Sequence, residues 1–253
     1  MIPAIIQCSG IKTIDILNLY FATKLGDPEI MIGITMQTVL ADILITFTLV
    51  GMNGALETLV SQAHGADNLG LCGVVYYRGW MINTVITVPL IIILLFSRSI
   101  LEAFGYSPEV SKYAMTFFVF SLPKTYFVGM WDHTKLYLGC FKNTVPGVFI
   151  QATTVLLHFA FLHLLVTNLE LGLPGIGIAS SISLSTIFLS IFGYVRYIDP
   201  RTAESLRLAS DYSIWDNWSQ YFKLGVPISL ILFILSGTFQ GLQIMAIDFG
   251  VPA

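Results

Sequence analysis

Lys12, Asp15 and Asn18 lie three residues apart within an otherwise apolar run, so a helix places them on one face. An ionisable group inside a membrane is costly unless it is paired or hydrated, and so marks a functional site. Two readings of this face stand side by side. It is a hydrated stripe along a cavity, with Asp15 binding a cation or proton. Or Lys12 and Asp15 neutralise one another and only orient the helix. Asp42 sits in the middle of a second apolar run and is expected to face the same cavity. Lys124 follows Pro123, and proline frees a backbone carbonyl one turn earlier; Lys124 then pairs with Asp42 or Asp15, or snorkels to an interface. His158 and His163 stand at i, i+5. On an ideal helix they diverge too far to share a metal, so His158 is either a cavity-lining group or a hydrogen-bonded packing histidine.

The elements that carry these residues follow from composition. Hydrophobic residues make up 55% of the 253-residue chain and charged residues 11%, against roughly 25% in soluble domains. A mean hydropathy of +0.80 leaves too little charge to cover a surface in water. The fold class is therefore an all-α integral membrane protein. Runs of about 20 apolar residues, enough to cross a bilayer, recur about seven times: near 2–22, 30–52 (continuing toward Ala63), 80–96, 110–130, 145–166, 175–197 and 222–247. The segments LGDPE (25–29) and LGLPG (171–175) are turns. Residues 196–220 are the longest polar stretch. The expected organisation is a six-helix unit over 1–197, a cytoplasmic charged linker over 198–220 and one further helix over 221–253.

Positive charge sets the expected orientation. Arg78, Lys135, Lys142, Arg196, Arg201, Arg207 and Lys223 fall on one side, against Lys24, Arg98 and Lys112 on the other. The richer side is expected to be cytoplasmic, with the N-terminus inside. The plasma membrane and an organelle membrane remain equal choices. A net charge of −3 gives no reason to invoke nucleic acid. Cys8, Cys72 and Cys140 are widely spaced and read as small buried hydrophobes, neither a disulfide framework nor a metal set. No nucleophile, nucleotide or zinc motif is present, so no enzyme activity and no cofactor are expected. The last span has Gln240 in mid-helix, and Gly237 and Gly241 at i, i+4 as a small-residue packing face.

One segment is specific. GMNGALETLVSQAHGA, residues 51–66, resembles the signature of the multidrug and toxic compound extrusion (MATE) family, through Gly51, Ala55, Leu56, Glu57, Thr58, Leu59, Gln62, Ala63, Gly65 and Ala66. These residues read as structural and gating: small residues for close packing, Gly65 for a left-handed helix end, Glu57 and Gln62 for free backbone groups. The resemblance extends in order along the chain: Pro3, LGDPE, LYLGCFKNTVPG (136–147), GLPGIGIASSIS (172–183) and YFKLGVPISLILF (221–233), which contains Pro227.

The resemblance implies two six-helix lobes that open alternately and exchange organic cations or other small molecules for protons or sodium. It implies that the chain holds one lobe and the first helix of a second, so it is a truncated form or is completed by another chain. By spacing, the bacterial first-helix aspartate falls on Asn18, and the eukaryotic seventh-helix glutamates fall on Leu235 and Gln240. Asp15 is thus the expected coupling residue. Competing readings are a seven-helix receptor, a transport-dead membrane subunit and a lipid-linked sugar flippase. The receptor requires an outside N-terminus and lacks the DRY and NPxxY motifs.

Overall fold

Proline, glycine and short polar side chains set the helix ends. At the first turn, Gly26 takes φ +79°, a left-handed conformation without penalty only for glycine. Asp27 then caps the next helix by accepting from the Glu29 N–H at 2.9 Å, with Pro28 in the first helical turn, where its missing N–H costs nothing. Asn68, Ser107 and Asp199 cap three later helices in the same way.

The computed structural model describes the backbone of residues 2–211 and 213–248, and the side chains of residues 10–210, 213–238, 240 and 241. The side chains of Pro3, Cys8, Gln243 and Asp248, and residues 249–253 of the last expected unit, lie outside the described residues. Among the described residues the chain is helical, without strands. The helices are α1 (Ile2–Thr23), α2 (Pro28–Gly65), α3 (Leu69–Leu94), α4 (Ser97–Ala103), α5 (Pro108–Cys140), α6 (Val145–Asn168), α7 (Gly172–Ile198), α8 (Pro200–Leu208) and α9 (Trp218–Asp248).

The seven expected spans correspond to α1, α2, α3, α5, α6, α7 and α9. Of these, α2, α3, α6, α7 and the Trp218–Thr238 part of α9 are apolar enough to cross a membrane by length and composition alone. The long helices α1 and α5 carry Lys12, Asp15 and Lys124 in their interiors. Exposed Val85, Ile92, Phe149, Leu156, Leu189 and Leu230 make the outer surface apolar, as lipid requires. The chain is an integral, multi-pass membrane protein.

The helices run past the expected boundaries. At about 1.5 Å per residue, the 38 residues of α2 reach well beyond a hydrocarbon core of about 30 Å. A π-helical turn at Asp42–Thr46 interrupts α2 without ending it. Such bulges are frequent at functional sites. The helix α3 begins at Leu69, eleven residues before its expected start, because Asn68 caps it there by accepting from Leu71 N–H at 3.0 Å.

α5 packs along α7 and α2, α6 lies against α1 and α7, and α9 lies along the C-terminal part of α2. The central apolar cluster draws Met52, Leu56, Tyr76, Trp131, Ile187 and Tyr221 from five helices. Gly51 permits the α2–α9 crossing: a Cβ there would overlap the backbone Cα of Ser229. Ser229 Oγ donates to the Thr48 carbonyl at 3.0 Å across the same crossing. Ala55, Leu56, Leu59 and Ala63 are buried, whereas Glu57, Gln62, Gly65 and Ala66 are exposed.

Two expectations change. Gly65 is not the left-handed residue at the end of α2; Asp67, at φ +55°, is. A Cβ at Gly237 or Gly241 would meet nothing within 4 Å, so that small-residue face packs on nothing among the described residues. Within the polar stretch 196–220, α8 docks on α3, where the Ser205 hydroxyl donates to the Leu69 carbonyl and meets the Tyr137 hydroxyl, both at 2.7 Å. Of the cysteines, Cys72 is buried and Cys140 is half-buried.

Ser205→Ala leaves the buried Tyr137 hydroxyl without its partner, at about 1–3 kcal/mol. The expected result is a lower melting temperature and faster protease cleavage within residues 209–217. An unchanged cleavage rate would show that α8 is held by packing alone.

Candidate functional site

Four charged side chains meet in the middle of the bundle. Lys124 Nζ lies 2.7 Å from Asp15 Oδ1. Lys12 Nζ lies 2.9 Å from Asp42 Oδ2 and 3.8 Å from Asp15 Oδ2. The distances decide which charges pair. Lys124 pairs with Asp15, neither with Asp42 nor at an interface. Lys12 takes Asp42 as its nearer partner, and Asp15 is shared between two lysines. The group is internally neutral, which makes its burial tolerable.

The two pairs differ in access. Side-chain exposure is 13% for Lys124 and 18% for Asp15, but 61% for Lys12 against 13% for Asp42. The Lys124–Asp15 pair is largely buried and the Lys12–Asp42 pair has an exposed lysine, but all four side chains border the first cavity. Asp42 is set at this point by the π turn that begins with it. Gln240 on α9 donates from Nε2 to Asp42 Oδ2 at 3.4 Å, which brings α9 to the same carboxylate.

Two adjoining cavities, of about 170 and 250 Å³, share Lys12, Asp15, Thr38 and Asp42 as a common wall. The first is otherwise largely apolar, with Phe117, Phe118 and Val128, and is also lined by Gln37, Lys124 and Asp132. The second is lined by Asn18 and Gln240. An apolar cavity with a few fixed polar groups is the usual form of a small-molecule site. Neither amide atom of Gln37 has a protein partner, although the residue is buried; it is a free hydrogen-bonding group at the cavity wall.

Asn18 shares the second cavity but belongs to another cluster. His158 meets Ser183 Oγ through Nδ1 at 2.9 Å and Asn18 Oδ1 through Nε2 at 3.1 Å. Ser180 Oγ also donates to Asn18 Oδ1 at 3.1 Å. His158 is thus a buried, hydrogen-bonded histidine and lines neither cavity. His163 is exposed. No group of three or more His, Cys, Asp or Glu suited to a metal ion occurs among the described residues.

Sequence reading missed three contributors. Gln37 and Thr38 looked like ordinary polar residues of an apolar span. Asp132 lay just past the expected end of its span at 130, yet α5 continues to Cys140. Asp132 pairs with Lys135 at 2.7 Å and lines the first cavity. An acidic residue two positions beyond a hydrophobic run was the available signal.

The MatE family model matches residues 3–164. "Protein DETOXIFICATION 48" of Arabidopsis thaliana is 27% identical over 219 residues, covering 83% of this chain and 39% of that protein. "Multidrug and toxin extrusion protein 1" of Oryctolagus cuniculus is 26% identical over 186 residues, covering 72% and 32%. The chain spans about two-fifths of the length of the first of these relatives. Among solved structures, that of the "eukaryotic MATE transporter AtDTX14" superposes with a TM-score of 0.88 at 19% identity, over 96% of this chain and 54% of that one. An "outward-facing conformation of a multidrug resistance MATE family transporter" gives a TM-score of 0.81 at 16% identity, over 99% and 55%. At these identities the structures establish a shared fold.

Proposed function

The chain belongs to the MatE family, and from that premise we propose that it forms the cavity-bearing lobe of a secondary antiporter. The antiporter exports organic cations or other small molecules in exchange for protons or sodium. The observation that carries this reading is the unequal pair of ion pairs at the cavity wall: one largely buried, one with a largely exposed lysine.

The chemistry follows from that inequality. Lys12 acts as a tethered cation on Asp42. An incoming cation, whether substrate, proton or sodium, competes with the Lys12 ammonium for that carboxylate. Lys124 keeps Asp15 neutralised throughout, so the cavity never exposes two bare carboxylates. Competition for one carboxylate is the simplest basis for exchange, because two cations then exclude each other there. Asn18 and Leu235 carry no charge at positions where the family resemblance implies acids, and Gln240 reaches Asp42 only as a neutral donor. Coupling is therefore assigned to Asp15 and Asp42, with Asp15 as the fixed anion and Asp42 as the exchanging one.

The transporter is completed by a second lobe, in the same polypeptide or in a second chain. The division at 197 and 220 separates the first lobe from α9, which opens the second. Support comes from α9, whose Leu230, Ile231, Ile234 and Leu235 are exposed and where a Cβ added at Gly237 or Gly241 would meet nothing within 4 Å among the described residues. The N-terminus is cytoplasmic on the balance of seven basic residues against three.

The test is flux in proteoliposomes made with the longest coding form, using a fluorescent organic cation and an imposed proton or sodium gradient. Gradient-driven efflux is expected, falling at least about tenfold in Asp42→Asn, which corresponds to about 1.4 kcal/mol. Absence of any gradient-driven flux would overturn the antiport reading and leave a transport-dead subunit.

A further inference from the structure

A groove of about 580 Å³ shares no lining residue with the two cavities at the charged quartet. Tyr77, Trp80 and Val85 of α3 form one wall, a stripe at helical spacing about 12 Å long. Tyr126 of α5, Phe192 of α7 and Ile214, before α9, complete it. Val85 is 60% exposed, so the groove opens on the apolar outer surface.

The hydrogen-bonding groups inside the groove pair with one another. Trp80 Nε1 donates to the Tyr126 hydroxyl at 3.2 Å. That hydroxyl meets Thr84 Oγ1 at 3.0 Å, and Thr84 Oγ1 donates to the Trp80 carbonyl at 2.9 Å. The Ile214 carbonyl is taken by Arg78 and Trp218. The walls therefore offer hydrocarbon and ring faces. Phe188 and Phe192 hold the Trp80 ring edge-on, with centroids 5.5 and 5.1 Å away. A wall fixed in this way costs little ordering when a ligand fills the groove.

The mouth has a different character. Arg196 stands one helical turn beyond Phe192 on α7, at i, i+4, and its guanidinium is within electrostatic reach of the Tyr77 hydroxyl. Among the described residues Arg196 takes part in no ion pair; its ring neighbour is Tyr197, at 5.7 Å. Two nearby acids are engaged elsewhere. Asp199 caps α8 and accepts from Asn143, and Asp216 faces Arg78. Tyr197 and Trp215 are exposed at this end, as aromatic residues are at a membrane–water interface. An unpaired guanidinium at interface depth, above an apolar groove, complements an anionic head joined to a hydrocarbon tail.

We propose that this groove holds one acyl chain of an anionic phospholipid from the surrounding bilayer, with the lipid phosphate at Arg196 and the tail along Trp80 toward Val85. The planar guanidinium can hold two phosphate oxygens at once. A zwitterionic lipid carries the same phosphate but also a cation that opposes Arg196, so preference for a net negative head is the signature of the site. A bound lipid would bridge α3, α5 and α7. The proposal does not depend on the antiport reading, and a lipid site on a chain without flux would still stand.

The experiment is native mass spectrometry of the unmodified chain, titrated in detergent with dioleoyl phosphatidylglycerol or dioleoyl phosphatidylcholine. The first phosphatidylglycerol is expected to bind at least about fivefold more tightly than the first phosphatidylcholine, the attraction that one basic residue exerts on anionic lipid. Arg196→Gln is expected to remove that preference. Arg201→Gln, an exposed cation outside the groove, should leave it intact. Val85→Trp, which sets a ring in the groove from a surface position, should weaken the first adduct of both lipids. Equal first-adduct affinities in the unmodified chain would overturn the proposal. So would a preference that survives Arg196→Gln, one that Arg201→Gln removes equally, or an adduct that Val85→Trp leaves unchanged.

Discussion

Gly51→Ala is expected to prevent stable seating of α9 on α2. One added methyl would overlap the Cα of Ser229, which is backbone and has no rotamer to escape into. Overpacking of this kind costs typically about 1–3 kcal/mol, and the backbone contact places this substitution at the upper end. The effect spreads along the crossing. A Cβ added at Gly54 would lie 3.0 Å from an Ile228 side-chain atom and one added at Gly225 would lie 2.6 Å from Met52 Sδ, so the crossing is tight on both sides of Gly51. The measurement is recovery of monodisperse protein after detergent extraction, with the thermal midpoint of what is recovered. Gly237→Ala is the control, because nothing lies within 4 Å of its added atom; it should behave like the unmodified chain. Equal loss in both variants would show that glycine flexibility, and not the crossing, is what matters.

The second large effect is at the buried ion pair. Asp15→Asn leaves the Lys124 ammonium buried with its charge uncompensated, and breaking such a pair costs about 3–5 kcal/mol. Lys124→Met does the reverse to Asp15, although Lys12 at 3.8 Å softens that loss. The double variant Asp15→Leu/Lys124→Met removes both charges and should recover most of the stability, since an apolar pair of similar size replaces a buried ion pair at little or no cost. Transport separates the roles. All three variants are expected to lose gradient-driven efflux, including the double variant that is stable again. Asp15→Asn with undiminished transport would remove Asp15 from the coupling machinery. A double variant as unstable as the singles would show that the two residues are not each other's main partners.

Much of this protein is legible in one dimension. A charged fraction of 11% cannot cover a water-soluble surface. Length and hydropathy then place the spans, because crossing a bilayer is a constraint on consecutive residues. The turn at Gly26–Asp27–Pro28 is legible for the same reason: left-handed backbone, capping and proline geometry act over three or four residues. Residues 51–66 likewise carry their family likeness in plain order. Span ends were less legible. A hydrophobic run stops where the lipid stops, whereas a helix stops where its backbone finds a cap, as at Asn68, twelve residues before the run that began at 80.

Which charges pair was not legible, and the tertiary structure decided it. Lys12 has Asp15 three residues away, yet its nearer partner is Asp42, thirty positions along; Lys124 finds Asp15 across 109 positions. A helix turns about 100° per residue, so an error of two positions in register points a side chain to another neighbour. The π turn at Asp42–Thr46 adds such a shift without any sequence mark. The reading of His158 stayed open for the same reason, since its partners Asn18 and Ser183 come from α1 and α7. Sequence determined that this chain lives in a membrane, roughly where its helices run and which residues carry charge there; only packing decided which of those charges pair and how deeply each pair is buried, because both depend on neighbours brought in from distant helices.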